Sequence, residues 1–377
     1  MRVALSEYSA GFSDYSWILC NELISYVDNL VYLTEKNNIY VHDINKKVEI
    51  YQLFDSFIAD KNHKKGSLAW VYNRVVTTLR NCILRNGFIK EYKPDVTLIQ
   101  ATLSTFDKYF LKGLKRYTKV ILIVHDVIVP TRSLSWNKKS LKKTYELADS
   151  LVVHSETNKK QLSAMFGVNL DKINVIPHGI RSTYNKIDKN FCRMKLGINE
   201  NESVFLFYGS LRKSKGLDVL IKAMKGIKAL LIIAGAPFYG ETFDEYRTLI
   251  DENNVKTMEF IEYTEDSFRD ILFQASDYMI LPYKEFYSQS GVFMQSIQYH
   301  LPVIATDVSA FKEYIDKYKI GYICKPNDID SLHNVLVEVQ NKKSQHTFSM
   351  EKAIRENSWE NASRMYYELM QKMKGIK

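Results

Sequence analysis

Short apolar runs alternate with longer segments of helical periodicity along most of the chain. "RVAL" opens it, followed by "NLVYLT" (Asn29–Thr34), "VTLIQ" (Val96–Gln100), "KVILIVHD" (Lys119–Asp126), "SLVVHS" (Ser150–Ser155) and "INVIP" (Ile173–Pro177). Between them lie segments such as "SWILCNELISYV" and "NKKSLKKTYELA", whose apolar residues recur at helical spacing. Strands that are apolar throughout and joined by helices predict a parallel sheet covered on both faces. After Gly179 the rhythm restarts with "SVFLFYG", "ALLIIAGA", "TMEFIEY", "DYMILPY", "PVIATD" and "IGYICKP". The pattern predicts two doubly wound α/β domains facing a cleft, with a hinge near Gly179–Asp188. A final long helix follows in "SWENASRMYYELMQKM".

Composition agrees with a soluble globular chain. Its 377 residues are 46% hydrophobic and 25% charged, and that length suits two domains. No apolar run approaches the roughly 20 residues of a membrane-spanning helix. The opening "MRVALSEYSAGFSDYS" lacks the apolar region of a signal peptide, so a cytoplasmic location is expected. Cys20, Cys82, Cys192 and Cys324 are widely separated and form no CxxC pair, which predicts buried apolar roles rather than zinc or disulfides. The net charge of +9 favours anionic partners such as nucleotides, acidic lipid or nucleic acid; solubility alone explains it equally well.

In open parallel sheets, ligands bind beyond the carboxyl ends of the strands. "FYGSLRKSKG" places Gly209, Arg212 and Lys215 just after the first strand of the second domain. "SQSGVFMQSIQ" supplies small residues, Ser290 and Gly291 with Val292, at a helix start, where free N–H groups and the helix dipole attract phosphate. Two cations on a loop usually form a solvated face, and a Gly-Ser helix start is usually only a cap; their joint position is what suggests a diphosphate site. Neither GxxxxGK[ST] nor a DxD at a strand end is present, so neither P-loop chemistry nor a phosphate-bridging metal is expected.

These motifs, with "LIIAGAP", "ASDYMILPYKE", "HLPVIATDVSAFKEYI" and "ADSLVVHSETNKKQL…INVIPHGI", resemble the retaining glycosyltransferases of family 4, which have the GT-B fold. The similarity runs from about Val120 to Trp359. It implies two Rossmann-like domains, 1–182 on the acceptor side and 183–355 binding the nucleotide sugar, with 356–377 as a helix packing back on the first. It further implies transfer of a sugar from a nucleoside diphosphate sugar to an acceptor hydroxyl, with retention, no metal and no other cofactor. By motif position, Arg212 and Lys215 match the diphosphate cations. Ser290, Gly291 and Val292 match the helix-start amides, and Gly209 lies in the same turn. Gly235 and Ile261–Tyr263, thus Ile261 and Tyr263, lie where backbone holds the base. Gly11 falls in the loop after the first strand. His125 in "VHD" matches a histidine that contacts the donor sugar. Most members carry two glutamates eight positions apart in the segment before Pro302; here Tyr287 and Gln295 stand there, with Glu285 out of register. This matches a branch with "SGV", in which Gln295 hydrogen-bonds in place of a carboxylate.

Other residues have competing readings. His125 at its ordinary pKa of roughly 6.5 could donate or accept, or it is simply a packed strand-end histidine, as His154 and His178 are expected to be. Two basic stretches lie in the first domain: Arg74, Arg80 and Arg85 beside Trp70 and Tyr72, and the cations from Lys108 to Lys143. They suit either an ordinary solvated face or an anionic membrane surface on its inner side. A saccharide or lipid-linked acceptor is expected, as in polysaccharide biosynthesis. A GT-B hydrolase or epimerase and an inactive GT-B partner subunit stay open as alternatives; no nucleic-acid module is recognisable.

Overall fold

A computed structural model describes residues 1–8, 13–56, 66–100, 106–127, 134–181, 183–238, 241–286, 289–341 and 348–375. Gly11 and Tyr287 therefore lie outside the described residues. The chain divides into two units, Met1–Gly179 with Trp359–Lys377, and Ile180–Ser358.

The first unit runs β1 (Arg2–Ser6), α1 (Ser13–Leu23), β2 (Asn29–Glu35), β3 (Glu49–Phe54), α2 (Leu68–Tyr92), β4 (Val96–Gln100), α3 (Asp107–Leu114), β5 (Lys119–Ile123), α4 (Leu134–Leu147), β6 (Ser150–Val153), α5 (Glu156–Phe166) and β7 (Ile173–Val175). Its parallel sheet has the order β3-β2-β1-β4-β5-β6-β7. Strand order reverses at β1, which pairs with both β2 and β4. Right-handed crossovers then send α1 to one face and α2 to α5 to the other. The two cores show this split. Leu19, Cys20 and Leu23 of α1 pack with Val3 and Leu5, whereas Cys82, Ile89, Leu111, Leu114 and Leu141 pack with Ala4 and Val31. Alternate residues of one strand thus enter opposite cores, and so the central strands carry apolar residues at successive rather than alternate positions.

The basic stretch of α2 divides differently from the sequence expectation. Arg85 is fully buried, not solvated. Its Nη1 lies 3.2 Å from Asp107 Oδ1, and both side chains are inaccessible. Cys82 Sγ is 3.8 Å from the same oxygen, and Tyr8 OH is 3.6 Å from that sulfur. The reason is periodicity: Arg85 falls between Cys82 and Ile89 on the face that α2 turns to the sheet. Arg80 stays exposed and pairs with Asp55 at 3.1 Å.

The second unit runs α6 (Lys189–Leu196), β8 (Val204–Tyr208), α7 (Leu217–Ala223), β9 (Leu230–Ala234), α8 (Asp244–Asn253), β10 (Thr257–Phe260), α9 (Asp266–Ala275), β11 (Tyr278–Leu281), α10 (Gly291–Gln298), β12 (Val303–Thr306), α11 (Phe311–Tyr318), β13 (Gly321–Cys324), α12 (Ile329–Asn341) and α13 (Glu351–Glu356). Its sheet is also parallel, in the order β10-β9-β8-β11-β12-β13. Here the reversal falls at β8. The last helix, α14 (Trp359–Lys374), belongs to the first unit, where Trp359, Tyr366 and Met370 pack in the α1 core. All four cysteines are free and buried. Among the described residues no helix is long and apolar enough to cross a membrane.

Candidate functional site

The strand reversal at β8 opens a crevice, because the segments after β8 and β11 leave the sheet in different directions. In the second unit that crevice gathers most of the residues singled out in the sequence. Gly209 ends β8 at φ 110°, and a Cβ there would come 3.2 Å from Val292 Cγ2. Gly235 follows β9 at φ 143°; a Cβ on it would lie 1.9 Å from the Gly209 carbonyl oxygen. Only glycine permits this backbone-to-backbone approach. The two turns are then joined by hydrogen bonds from Gly209 N to Ala234 O and from Leu211 N to Ala236 O, each 2.9 Å.

Each cation rests on an aromatic ring. Arg212 Cζ lies 3.5 Å from the centroid of Phe238, whose N–H donates to Leu211 O at 2.9 Å. Lys215 Nζ lies 3.6 Å from the Tyr283 ring and 4.5 Å from Phe286. No carboxylate among the described residues makes a salt bridge with Lys215. The turn that carries it is fixed by Gly216, at φ 72°, where a Cβ would meet Pro282 O at 2.0 Å. A third cation, Lys284, has its own anion, Asp218, at 2.7 Å. Its backbone N–H donates to Ser214 O at 2.9 Å.

Ser290 caps α10, accepting from Phe293 N at 3.3 Å, and its hydroxyl is also 3.3 Å from Tyr283 OH. The first-turn N–H groups that follow have no acceptor within their own helix. The capping Ser290 shares with Lys215 the same neighbour, Tyr283. A positive charge without a bound carboxylate, a capped helix start and two glycine turns make a cradle for an anion. Among the described residues no group of three His, Cys, Asp or Glu side chains is placed to hold a metal.

The first unit holds a second cluster. His125 follows β5, His154 follows β6 and His178 follows β7, so three successive strand ends each deliver an imidazole. Tyr15 packs against all three, with ring centroids 4.7, 5.4 and 5.2 Å away, and against Trp359 at 4.7 Å. Its hydroxyl is 2.8 Å from Tyr366 OH. His154 Nδ1 lies 2.9 Å from Ile176 O, and a carbonyl only accepts, so that nitrogen carries the proton. His154 Nε2 then accepts from His125 Nδ1 across 3.0 Å. His125 Nε2 is left as an acceptor, 2.8 Å from the Gln100 carboxamide, whose other end is 2.6 Å from Ser16 Oγ. As placed, Gln100 Oε1 faces His125 and its Nε2 faces Ser16 Oγ; the chain is satisfied throughout once that amide is turned over, so that its NH2 donates to His125 Nε2 and its oxygen accepts from the Ser16 hydroxyl.

Burial, then the neighbouring His154 and His178, holds His125 well below the ordinary imidazole range. Burial likewise pushes His154 down to about 3 and His178 down to about 4. His125 is thus neutral near pH 7, not half-protonated as its ordinary pKa suggested. Both its ring nitrogens are engaged within the first unit.

A profile described as glycosyl transferases group 1 matches residues 188–358, and one described as glycosyltransferase family 4 matches residues 55–183. The chain belongs to family 4 of the glycosyltransferases. It is 26% identical over 200 residues to an uncharacterised glycosyltransferase of Methanocaldococcus jannaschii, covering 50% of each chain. It is 25% identical over 240 residues to the GDP-mannose-dependent monoacylated alpha-(1-6)-phosphatidylinositol monomannoside mannosyltransferase of Corynebacterium glutamicum, covering 59% of this chain and 61% of that one. The match thus spans only 50% to 61% of these relatives. Among solved structures, Anabaena HepE in complex with UDP superposes with a TM-score of 0.76 at 15% identity, over 99% of this chain and 100% of that one.

Within this family 4 chain, Gly209 and Val292, expected at the diphosphate, meet Gly235, expected at the base, through backbone and methyl contacts, and Lys215 and Ser290 share Tyr283. The other two residues expected at the base, Ile261 and Tyr263, follow β10, whose Phe260 O accepts from Gly235 N at 2.9 Å. Ile261 is partly buried on the α7 and α8 side of the sheet, and Tyr263, beyond the edge strand β10, is 78% exposed. Gln295 sits more than a turn inside α10, half-buried, with its carbonyl accepting from Tyr299 N at 3.0 Å. Sequence reasoning missed the aromatic platforms Phe238, Tyr283 and Phe286. The available signal was an aromatic within a few residues of a strand end.

Proposed function

We propose that this chain transfers a sugar from a nucleoside diphosphate sugar to an acceptor hydroxyl, with retention and without a divalent metal. The observation that carries the reading is Lys215, a cation with no salt-bridged carboxylate among the described residues, resting on the Tyr283 ring whose hydroxyl is 3.3 Å from the Ser290 cap of α10. A diphosphate leaving group accumulates negative charge as the glycosidic bond breaks. Lys215, Arg212 and the first-turn amides of α10 would hold that charge in place of a metal. The Anabaena neighbour, solved with UDP, supports a nucleotide donor. His125, neutral and fixed in one tautomer, would orient the donor sugar by hydrogen bonding rather than transfer a proton; a sugar hydroxyl reaching Nε2 displaces the Gln100 amide. The phosphatidylinositol mannoside in the name of the Corynebacterium relative supports a lipid-linked saccharide acceptor, taken at an anionic membrane surface on the cytoplasmic side.

The test is nucleoside diphosphate release from UDP-glucose and GDP-mannose, with and without a membrane lipid extract, in excess EDTA. Acceptor-dependent release that survives EDTA is expected, with the product's anomeric configuration read by NMR. Release without acceptor would make the chain a hydrolase. Absence of binding to either nucleotide would favour a non-catalytic partner subunit.

A further inference from the structure

The helix α2 is anchored by only part of its length. All of its buried residues, Thr78, Asn81, Cys82, Arg85 and Ile89, lie after Thr77. The first ten residues, "LAWVYNRVVT", have no buried member, yet they are mostly apolar. A run rich in valine is a poor helix former by itself, and a helix of this kind usually relies on a face packed against something. Leu68 is 90% exposed, Tyr72 68% and Ile83 60%, with Val76 also exposed. Their spacing of four, four and seven residues puts them on one stripe, about 22 Å long at 1.5 Å per residue.

The surroundings of the stripe are cationic. Helices α2, α3 and α4 lie side by side on one face of the first sheet. With the buried Arg85–Asp107 pair set aside, they contain nine lysines and arginines and two acidic residues. Exposed Tyr109 on α3 adds a further amphipathic ring beside Lys108, 4.9 Å from its centroid. An apolar stripe framed by positive charge and tyrosines matches a bilayer surface with anionic headgroups: the rings and aliphatic groups suit the headgroup boundary, and the cations suit the phosphates.

We infer that the Leu68, Tyr72, Val76 and Ile83 stripe of α2 is the element that enters an anionic membrane, with α3 and α4 supplying the electrostatic attraction. This deepens the membrane side of the proposed function and rests on it only for the reason the surface exists. The sequence points to the cations with Trp70 and Tyr72; the structure adds exposed Leu68, Val76 and Ile83, which would hold the protein once it arrives. Attraction by the cations screens with salt, whereas burial of the stripe does not.

The experiment is flotation of the full chain with phosphatidylcholine vesicles, with and without phosphatidylglycerol, at low and high salt. The wild type is expected to bind the anionic vesicles at low salt, with a blue shift in Trp70 emission that Trp70→Phe removes. Leu68→Ser/Tyr72→Ser/Ile83→Ser is expected to lower that binding about tenfold or more, with the unfolding midpoint unchanged because these side chains are exposed. Lys138→Glu/Lys139→Glu/Lys142→Glu is expected to remove the salt-sensitive part. The inference is overturned if the wild type fails to bind anionic vesicles, or if the serine variant binds as the wild type does. It is also overturned if lipid-free protein is a dimer that the serine variant converts to monomer, since a second copy then covers the stripe. UDP and GDP binding is measured in parallel, so failure of the membrane surface and failure of the glycosyltransferase reading are read separately.

Discussion

Replacing Lys215 with methionine removes one charge and keeps the stem that lies along Tyr283 and Phe286. In the folded chain Nζ sits 3.6 and 4.5 Å from those two ring centroids, with no salt-bridged carboxylate among the described residues. What the charge gives the free protein is then a cation–π contact, about 0.5–1 kcal/mol at a half-exposed site, and methionine's own contact with aromatic rings recovers part of it. What the charge gives a bound diphosphate is larger. A charge-assisted hydrogen bond contributes about 1.5–3 kcal/mol, or roughly tenfold to a hundredfold in affinity. Lys215→Met should thus weaken UDP or GDP binding by at least about tenfold while the unfolding midpoint moves little. Isothermal titration calorimetry measures the first and differential scanning calorimetry the second. Lys284→Met is the control: its ammonium already serves Asp218 at 2.7 Å, so its effect on nucleotide affinity should be smaller. The reasoning is refuted if Lys215→Met binds both nucleotides within twofold of wild type, or if Lys284→Met is the more damaging of the two.

The buried pair predicts that Arg85→Met destabilises by about 3–5 kcal/mol, since it leaves Asp107 charged or forces its protonation, whereas exposed Arg80→Ala changes stability by under about 1 kcal/mol; urea denaturation separates the two. The histidine cluster predicts a pH dependence with a definite sign. His125, His154 and His178 titrate lower in the folded chain than the ordinary value of 6.5, so the unfolded chain binds more protons below that pH. Stability is therefore full above about pH 6.5 and falls on acidification, by on the order of 1.4 kcal/mol per pH unit per histidine until the folded groups titrate. Urea midpoints between neutral and mildly acid pH, compared with His154→Gln, read this directly: the variant should show a shallower fall, and an identical slope would remove His154 from the account.

Much of the architecture was legible from the sequence because it rests on local periodicity. Strands that are almost wholly apolar, such as "KVILI" and "LLIIA", have to be covered on both sides, and that requirement alone gives parallel sheets wound with helices. The glycines and cations after β8 and the serine before α10 were visible for a similar reason. They stand at strand ends, and strand ends are where a doubly wound sheet exposes backbone to ligands. Charge by itself did not say where a side chain goes. Arg85 looked like its neighbours Arg74 and Arg80, but helical phase turned it inward onto Asp107, whose position depends on a different strand and loop. His125 looked like a group titrating near neutrality; the packing of His154, His178 and Tyr15 around it, drawn from three other segments, removed the water that a charged imidazole needs. Lys215 was named from sequence, yet its lack of a salt bridge among the described residues, against the pairing of Lys284 with Asp218, is a matter of which side chains the fold brings within a few ångströms. Periodicity and strand ends are properties of a stretch of chain, and so the sequence determined them. Burial, pairing and protonation are properties of neighbours distant in sequence, and only the tertiary structure decided those.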